Sequence, residues 1–192
     1  MITPTLQTRL TTLAGCIELL PQRLEDERGR FLKVFNRDAF SALSMPVEFA
    51  EVYYSVSKRG VIRGLHFQTP PAEHAKLVYC TAGKVQDAVV DLRVGSPTFG
   101  HCAVLELSAA EANMLFIPPG IAHGFGVLSE TATMVYHVTS QYSKEHDEGI
   151  LWSSAGIPWS IESPVLSPRD RIHPAMESFS SPFRFHSEGF VP

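Results

Sequence analysis

The sequence predicts an all-β sandwich or barrel with a few short helices. Most of the chain consists of short runs rich in β-branched and aromatic residues, which favour pleated, half-buried strands. Turn-forming residues interrupt these runs at short intervals, as at Arg59-Gly60, Ala82-Gly83 and Pro118-Pro119-Gly120. Many short strands at regular spacing are typical of a sandwich or a barrel, whereas strands alternating with long helices would indicate βαβ units.

The strand pattern can be followed along the chain in order. Two short segments favour helix instead, Asp38–Leu43 after Asn36 and Ser108–Asn113. Asn is a frequent N-cap because its side chain accepts a hydrogen bond from a backbone N–H of the first turn. The nine predicted strands are Phe31–Phe35, Phe49–Ser57, Val61–His66, Lys76–Thr81, Val85–Arg93, Cys102–Leu107, Asn113–Ile117, Gly124–Leu128 and Thr133–Thr139.

The length of 192 residues suits a single domain, 1–192. A chain of this size buries about 70% of its unfolded surface, which is sufficient for a hydrophobic core. From Gly149 onward, prolines at positions 158, 164, 168 and 174 interrupt every periodic pattern. We therefore place the core at about residues 15–175 and predict that the C-terminal tail, about 176–192, is peripheral.

Composition and charge exclude several classes of protein. Hydrophobic residues make up 44% of the chain and charged residues 19%, which is ordinary for a globular protein. The net charge of −4 argues against a nucleic-acid partner, which normally requires a basic face. No apolar run approaches the roughly 20 residues that span a bilayer, so no membrane partner is predicted. The GxGxxG and GxxxxGKS/T motifs of nicotinamide and ATP sites are also missing from the sequence.

The cysteine pattern and the N-terminal sequence indicate the cellular compartment. Segment Met1–Leu20 has no basic start followed by a compact apolar block, so no signal peptide is predicted. Cys16, Cys80 and Cys102 are an odd number without CxxC spacing, which is typical of free thiols in a reducing compartment. We therefore predict a cytoplasmic protein.

One stretch, Arg63-Gly64-Leu65-His66-Phe67-Gln68, combines reactive side chains with strand character. His66 follows a cation, Arg63, by three residues and precedes Lys76 by ten. A base and two cations on one sheet wall could bind an anionic substrate and remove a proton from it, since an imidazole accepts protons near neutral pH. The alternatives are a hydrogen-bonded core histidine and two surface cations.

Two spacings resemble the signature of the cupin fold. Gly60 lies six residues before His66, and Lys76 lies seven before Gly83, while Pro118-Pro119-Gly120 precedes His123. In metal-binding cupins these segments supply three histidines and a glutamate. Here His66 and His123 fill two of the four places, and Gln68 and Lys76 fill the others. An ammonium opposes a divalent cation, so the resemblance implies a cupin-type jelly-roll sandwich or barrel used for acid–base chemistry, without a metal. A metal-dependent cupin enzyme is the alternative.

Five motifs follow one another along roughly residues 15–175. They are Asp26-x-Arg28-Gly29-x-Phe31, Gly60-Val61-Ile62-Arg63-Gly64-Leu65-His66-Phe67-Gln68, Asp91-Leu92-Arg93-x-Gly95-Ser96-Pro97-Thr98-Phe99-Gly100, Pro118-x-Gly120-x-Ala122-His123-Gly124-Phe125 and Leu166-Ser167-x-Arg169-Asp170. Together they resemble the dTDP-4-dehydrorhamnose 3,5-epimerase family, and several motifs in the same order make chance agreement improbable.

The resemblance implies an isomerase that needs no cofactor. Its substrate is a nucleotide-diphosphate 4-keto-6-deoxyhexose, most simply dTDP-4-dehydro-6-deoxyglucose, whose carbonyl at carbon 4 acidifies the hydrogens on carbons 3 and 5. By resemblance, His66 is the base and Asp170 orients it. Lys76 stabilises the enolate oxygen, and Tyr136 donates a proton from the opposite face. Without the resemblance, Tyr136 would be interpreted as a core residue with a solvated hydroxyl.

The resemblance also implies a set of substrate-binding residues and a homodimer. Arg28 and Arg63 would bind the diphosphate, since Arg suits bidentate contacts to phosphate. The family exchanges N-terminal strands within a homodimer, so Arg28 and Phe31 are expected to reach the partner's nucleotide site. The remaining expected substrate contacts are Lys33, Glu51, Tyr53, Gln68, His123 and Tyr142.

Three of these positions depart from the family pattern. Lys33 stands where the family usually has Glu, and Glu51 and Tyr53 stand where it usually has Gln and Asn. The changes alter charge and bulk near the nucleotide sugar, so the reaction class is predicted more firmly than the substrate. The alternatives are a mono-epimerase at carbon 3 or 5 acting on a CDP- or GDP-sugar, and a sugar-binding module without turnover.

Overall fold

The computed structural model describes residues 6–186, which form two antiparallel β-sheets packed face to face, one hairpin and a few short helical segments. The first sheet has six strands in the spatial order β1-β2-β10-β7-β12-β5. Its strands are β1 Gln7–Leu10, β2 Ile17–Leu20, β5 Glu51–Lys58, β7 Lys76–Ala82, β10 Met114–Ile117 and β12 Thr131–Val138.

The second sheet has five strands in the order β13-β6-β11-β8-β9. Its strands are β6 Ile62–Gln68, β8 Lys84–Asp91, β9 Cys102–Ser108, β11 Ile121–Val127 and β13 Asp147–Gly149. The hairpin pairs β3 Arg23–Asp26 with β4 Gly29–Leu32. The helical segments are α1 Arg37–Ala42 and two 3₁₀ turns, Arg169–Arg171 and Met176–Ser178.

The hydrophobic core lies between the two sheets. Val78 and Met134 of the first sheet pack with Val89 and Phe125 of the second, and each of these side chains is at most 2% exposed. The central strand β11 of the second sheet is covered on both faces, and all seven of its residues are buried. This two-sheet, antiparallel arrangement confirms the predicted all-β sandwich of the cupin type.

Helix α1 covers part of the outer face of the six-stranded sheet. Phe40 on α1 is 2% exposed and packs in a cluster with Leu77 and Met114. The Asn36 side chain accepts a hydrogen bond of 3.0 Å from the Ala39 N–H, so it caps the helix as expected. The predicted helix at Asp38–Leu43 is therefore confirmed within one residue.

The second predicted helix, Ser108–Asn113, is wrong. These residues form a turn between β9 and β10, with Ala112 at a positive φ of 54°. The Asn113 amide donates to the Glu18 carboxylate and to the Glu106 carbonyl, while its oxygen accepts from the Ser108 N–H. Side-chain bonds to the backbone compete with helix formation, and they select the turn here.

The predicted strands also differ from the structure near both ends of the chain. The strand predicted at Phe31–Phe35 is the hairpin strand Gly29–Leu32, and β1, β2, β3 and β13 were not predicted. All four residues of β1 are exposed, so it has no apolar alternation to detect. Strand β13 has the sequence Asp-Glu-Gly and is held by its pairing with β6.

The segment after β13 packs along the second sheet. Trp159 donates its indole N–H to the Trp152 carbonyl at 2.9 Å, and Phe183 is 4% exposed beside Phe67. The predicted peripheral tail, 176–192, lies partly outside the described residues, and the single-domain assignment stays a prediction. No helix within residues 6–186 is long and apolar enough to cross a lipid bilayer.

A close backbone contact joins β6 to β11 beside the predicted base. Gly64 has a φ of +133°, and a Cβ added there would lie 2.5 Å from the Gly124 Cα. No side chain fits in that gap, because the obstructing atom belongs to backbone. The glycine of the Arg63-Gly64-Leu65-His66 motif therefore allows β6 and β11 to approach closely where His66 pairs with His123.

We expect Gly64→Ala to lower the free energy of unfolding by roughly 1–3 kcal/mol more than a matched control, because the added methyl group overpacks the contact. The control is Gly60→Ala, since Gly60 also has a positive φ, +80°, but no described heavy atom lies within 4 Å of its added Cβ. Chemical denaturation measures both. Equal losses for the two variants would show that only the backbone angle matters.

Candidate active site

A cleft of about 320 Å³ opens between the two sheets. Apolar side chains line it together with imidazole, carboxylate, ammonium and phenol groups. Both sheets and the loop after β12 contribute to it. The lining residues are Glu51, Tyr53, Ser55, Arg63, His66, Phe67, Gln68, His74, Lys76, His123, Gly124, Phe125, Tyr136, Val138, Tyr142 and Asp147.

His66 on β6 of the second sheet forms a hydrogen-bonded pair with Asp170 of the 3₁₀ turn Arg169–Arg171. The His66 Nε2 lies 2.5 Å from Asp170 Oδ1, and the carboxylate side chain is 4% exposed whereas the imidazole is 31% exposed. Burial acts to raise the pKa of Asp170, but the hydrogen bond and the attraction of His66 outweigh it and hold the pKa below its ordinary value. Since Nε2 is bonded to Asp170, Nδ1 is the ring nitrogen left to accept a proton.

Lys76 is buried at the start of β7 on the first sheet. Its ammonium donates a hydrogen bond of 3.1 Å to the His66 carbonyl, and this bond connects the first sheet to the second. Burial lowers the pKa of Lys76 to about 8, although the carboxylates of Asp147 and Asp87 oppose the shift. The group is therefore a cation at neutral pH that is easily deprotonated above pH 8.

His123 lies opposite His66 in the pairing of β11 with β6. Its Nε2 lies 2.8 Å from Asp87 Oδ2, and the two side chains are 4% and 0% exposed. Burial raises the pKa of Asp87, while His123 and Lys76 act to lower it. The protein thus contains two histidine–carboxylate pairs whose histidines, His66 and His123, lie on neighbouring strands of the second sheet.

Tyr136 faces the same cleft from β12 of the first sheet. Its hydroxyl lies 3.3 Å from Ser55 Oγ, and its ring is 8% exposed. Burial raises the pKa of the hydroxyl above its ordinary value, so the group is protonated at neutral pH. Tyr53, paired with Tyr136 across β5 and β12, stacks on its ring with centroids 5.0 Å apart.

Four further predicted residues line the cleft. Arg63 is exposed and donates to Ser57 Oγ at 2.9 Å, and Glu51 accepts from the Tyr142 N–H at 3.0 Å. Gln68 is 4% exposed, and its amide bonds Ala72, Gln141 and Ser143. The Gln68 amide therefore joins the two loops that border the cleft, and a direct contact with substrate stays a prediction.

Three predicted residues lie away from the cleft, on or just after the hairpin of β3 and β4. Arg28 pairs with Asp26 at 2.5 Å, and Phe31 is 60% exposed. Lys33 is exposed and forms no ion pair with Glu51 among the described residues. Within one chain, the hairpin residues are thus not brought to the cleft that His66 and Tyr136 share.

The comparisons with known proteins agree with this geometry. The family model described as dTDP-4-dehydrorhamnose 3,5-epimerase matches residues 10–178. The chain is 46% identical over 153 residues to dTDP-4-dehydrorhamnose 3,5-epimerase of Shigella flexneri, covering 78% of this chain and 84% of that one. The chain belongs to the dTDP-4-dehydrorhamnose 3,5-epimerase family.

A solved structure and a second relative show the range of this family. The structure is dTDP-6-deoxy-D-glucose-3,5-epimerase of Legionella pneumophila in complex with dTDP-4-keto-L-rhamnose, with a TM-score of 0.90, 32% identity and coverage of 95% of this chain and 100% of that one. The relative is dTDP-4-dehydrorhamnose 3-epimerase of Streptomyces niveus, 39% identical over 83% of this chain and 78% of its own. The family thus includes an enzyme named for epimerisation at carbon 3 alone.

The structure adds site residues that the family motifs in the sequence did not reveal. Asp87 could have been found as a carboxylate inside the apolar strand Val85–Val90, since a buried charge needs a partner. His173 lies three residues after Asp170, and its Nε2 is 3.8 Å from Asp170 Oδ1. A Cβ on Gly149 would lie 2.7 Å from that nitrogen, so His173 packs on the bare backbone of β13. No sequence spacing predicts that contact.

The same geometry bears on the predicted absence of metal. Donor atoms of His66, Asp170 and His173 lie within 4.8 Å of one another and are a possible ligand set. His66 and His123, the two histidines at cupin ligand positions, instead direct their Nε2 atoms to different carboxylates. Lys76 occupies another of those positions and carries a positive charge that opposes a divalent cation. Metal independence stays a prediction.

We expect one lysine of the protein to titrate near pH 8, because burial lowers the pKa of Lys76 to about 8. An exposed lysine titrates at about 10.4. NMR of protein labelled on the lysine side chains follows each amine with pH, and Lys76→Met identifies the resonance by its loss. If the resonance lost in that variant titrates above pH 10, the ammonium is solvated and this description of the site is wrong.

Proposed function

We propose that the protein is a nucleotide-sugar epimerase that inverts carbons 3 and 5 of dTDP-4-dehydro-6-deoxyglucose without a cofactor. One observation carries the proposal: a candidate base, His66, and a candidate proton donor, Tyr136, face one cleft from opposite sheets. Inversion of a carbon centre requires removal of a proton on one face and its return on the other. A base on one wall of the cleft and a proton donor on the opposite wall meet that requirement.

The first step is removal of a proton next to the carbonyl. His66 accepts it on Nδ1 because Nε2 is bonded to Asp170, and the carbon–hydrogen electron pair moves into the enolate. Asp170 stabilises the imidazolium that forms and holds the ring in one orientation. A carboxylate that is hydrogen-bonded to a catalytic histidine does the same in other enzymes. The base in this scheme is His66, and Asp170 is its positioning residue.

The enolate oxygen then carries the negative charge. Lys76 is the buried cation of the cleft, and a preorganised cation stabilises charge most where water is excluded. Its lowered pKa of about 8 leaves it charged at neutral pH. Activity should accordingly decline as Lys76 loses its proton above pH 8.

The second step returns a proton from the opposite wall. The Tyr136 hydroxyl donates its proton to the carbon, so its O–H bond breaks and the enolate electron pair forms the new carbon–hydrogen bond. The tyrosinate then takes a proton from solvent and the His66 imidazolium releases one to solvent, which restores both groups. The raised pKa of the hydroxyl keeps it protonated until the enolate approaches. Repeating both steps at the other carbon completes the double epimerisation.

The substrate contacts follow from the position of each side chain. Arg63 and, from a second chain, Arg28 would bind the diphosphate through bidentate contacts. The side chains that border the space left for the sugar and nucleotide are Glu51, Tyr53, Gln68, His123 and Tyr142.

Free thiols at Cys16, Cys80 and Cys102 support a further proposal, that the protein acts in the cytoplasm.

The test of this function is proton NMR with dTDP-4-keto-6-deoxyglucose in deuterated buffer. The proposal predicts deuterium at both carbons and formation of the doubly inverted product. Deuterium at one carbon alone would identify a mono-epimerase. With neither exchange nor product, the substrate would be wrong, and Lys33, Glu51 and Tyr53 would be the residues to re-examine.

In the same assay, we expect His66→Ala and Asp170→Ala to reduce turnover by roughly 10²–10⁴-fold, the usual contribution of a general base. Binding of dTDP, measured by calorimetry, should persist, because neither residue is assigned to the nucleotide. His101→Ala is the matched control, since His101 is an exposed histidine outside the cleft. Turnover at the normal rate in either dyad variant would refute the base assignment.

We also propose that the active form is a homodimer in which hairpins β3–β4 are exchanged. Edge strand β5 exposes three apolar side chains, Val52, Tyr54 and Val56, each at least 58% exposed. Phe31 on the hairpin is 60% exposed. Apolar edges of this kind are typical of surfaces that are covered by another chain. Exchange would bring Arg28 and Phe31 to the cleft of the partner.

Mixing two inactive variants tests the exchange. Arg28→Ala leaves the dyad intact, and His66→Ala leaves the hairpin intact. If Arg28 acts across the dimer, random reassortment of the two should restore roughly a quarter of the wild-type sites. If Arg28 acts within its own chain, every site in the mixture is defective, and activity stays at the level of the single variants. A monomeric mass with full activity would also contradict the proposal.

A further inference from the structure

Tyr53 is one of the positions where the chain departs from the family pattern, and its side chain stacks on the proposed proton donor. It pairs directly with Tyr136 in the register of β5 with β12. The two rings are nearly parallel, 19° apart, with centroids separated by 5.0 Å. A directly opposite pair on one sheet face is in close side-chain contact, and this one lies at the wall of the cleft.

The donor ring lies in the core cluster that contains Val78, Val89 and Phe125. It makes two further contacts: its hydroxyl lies 3.3 Å from Ser55 Oγ, and its ring forms an edge-type pair with His123 at a centroid distance of 6.3 Å. Tyr53 covers the face of the ring on the side of the edge strand β5, and Tyr53 itself is 44% exposed. A small side chain in its place would leave that face open to water and allow the phenol to tilt.

The position of the Tyr136 hydroxyl affects inversion of the carbon but does not affect exchange of the carbon-bound proton for a deuteron. His66 is 31% exposed, so its imidazolium can exchange a proton for a deuteron and return it to the same face of the carbon. That event is exchange without inversion. Inversion requires the Tyr136 hydroxyl on the opposite face, and proton transfer between groups is sensitive to displacements of about 1 Å.

We propose that Tyr53 is a positioning residue that holds the Tyr136 hydroxyl in line with the enolate carbon and thereby sets the ratio of inversion to exchange. This inference rests on the proposed function, and it assigns to Tyr53 a role that an asparagine at this position does not provide. The carbon gains the hydroxyl proton, the O–H bond breaks, and the tyrosinate is reprotonated by water. The stacked Tyr53 ring affects only how well the Tyr136 hydroxyl is aligned for this proton transfer.

The experiment follows dTDP-4-keto-6-deoxyglucose by proton NMR in deuterated buffer and measures epimer formed per deuterium incorporated into recovered substrate. Tyr136→Phe provides the lower limit, because it retains the base but has no hydroxyl to donate. We expect Tyr53→Asn and Tyr53→Leu to lower the ratio roughly 10- to 100-fold. Tyr53→Phe should keep the wild-type ratio, because its ring still stacks. Thermal unfolding establishes that each variant is folded.

The outcomes separate this inference from the function on which it rests. An unchanged ratio in both Tyr53→Asn and Tyr53→Leu would overturn it, even if KM rises, because Tyr53 would then contribute to binding alone. A fall in Tyr53→Phe equal to that in Tyr53→Asn would also overturn it, since the hydroxyl and not the stacked ring would be responsible. Wild-type protein that neither exchanges nor inverts this substrate would refute the proposed function instead.

Discussion

Two carboxylates are buried beside histidines, and the arrangement of the cleft between the two sheets depends on this burial. Asp87 and Asp170 are taken out of water at 0% and 4% side-chain exposure, and an unpaired charge in that position would be strongly destabilising. Each carboxylate therefore holds one imidazole, His123 or His66, in a single orientation. The same pairing that makes burial tolerable also leaves Nδ1 as the ring nitrogen of His66 that can accept a proton.

The two-sheet architecture then divides the chemistry between two walls. The second sheet holds His66, while the first sheet holds Lys76 and Tyr136. A strand alternates its side chains between faces, so Tyr53 and Ser55 turn into the cleft while Tyr54 turns outward. One edge strand thus contacts Tyr136 on its inner face and exposes the apolar side chains Val52, Tyr54 and Val56 on its outer face.

The sequence predicted the all-β class, because short apolar strands are local signals. The family motifs pointed to residues that line the cleft, such as His66 and Gln68, but also to Arg28, Phe31 and Lys33, which lie away from it. The sequence did not predict the contacts that depend on register and topology. Asp87 reaches His123 only because β8 and β11 are neighbours, and His173 reaches Asp170 over Gly149. Local polar bonding also overrode the helix expected at Ser108–Asn113, where the Asn113 side chain selects a turn.

The proposed mechanism requires His66 and Tyr136 to lie on opposite faces of one sugar ring. A crystal structure of the protein with dTDP-glucose tests this requirement directly, because this ligand has a hydroxyl at carbon 4 and cannot form the enolate. We expect His66 Nδ1 beside one face of the hexose, the Tyr136 hydroxyl beside the other, and the Lys76 ammonium at the oxygen of carbon 4. A hexose bound with His66 and Tyr136 on the same face, or outside the cleft, would contradict it.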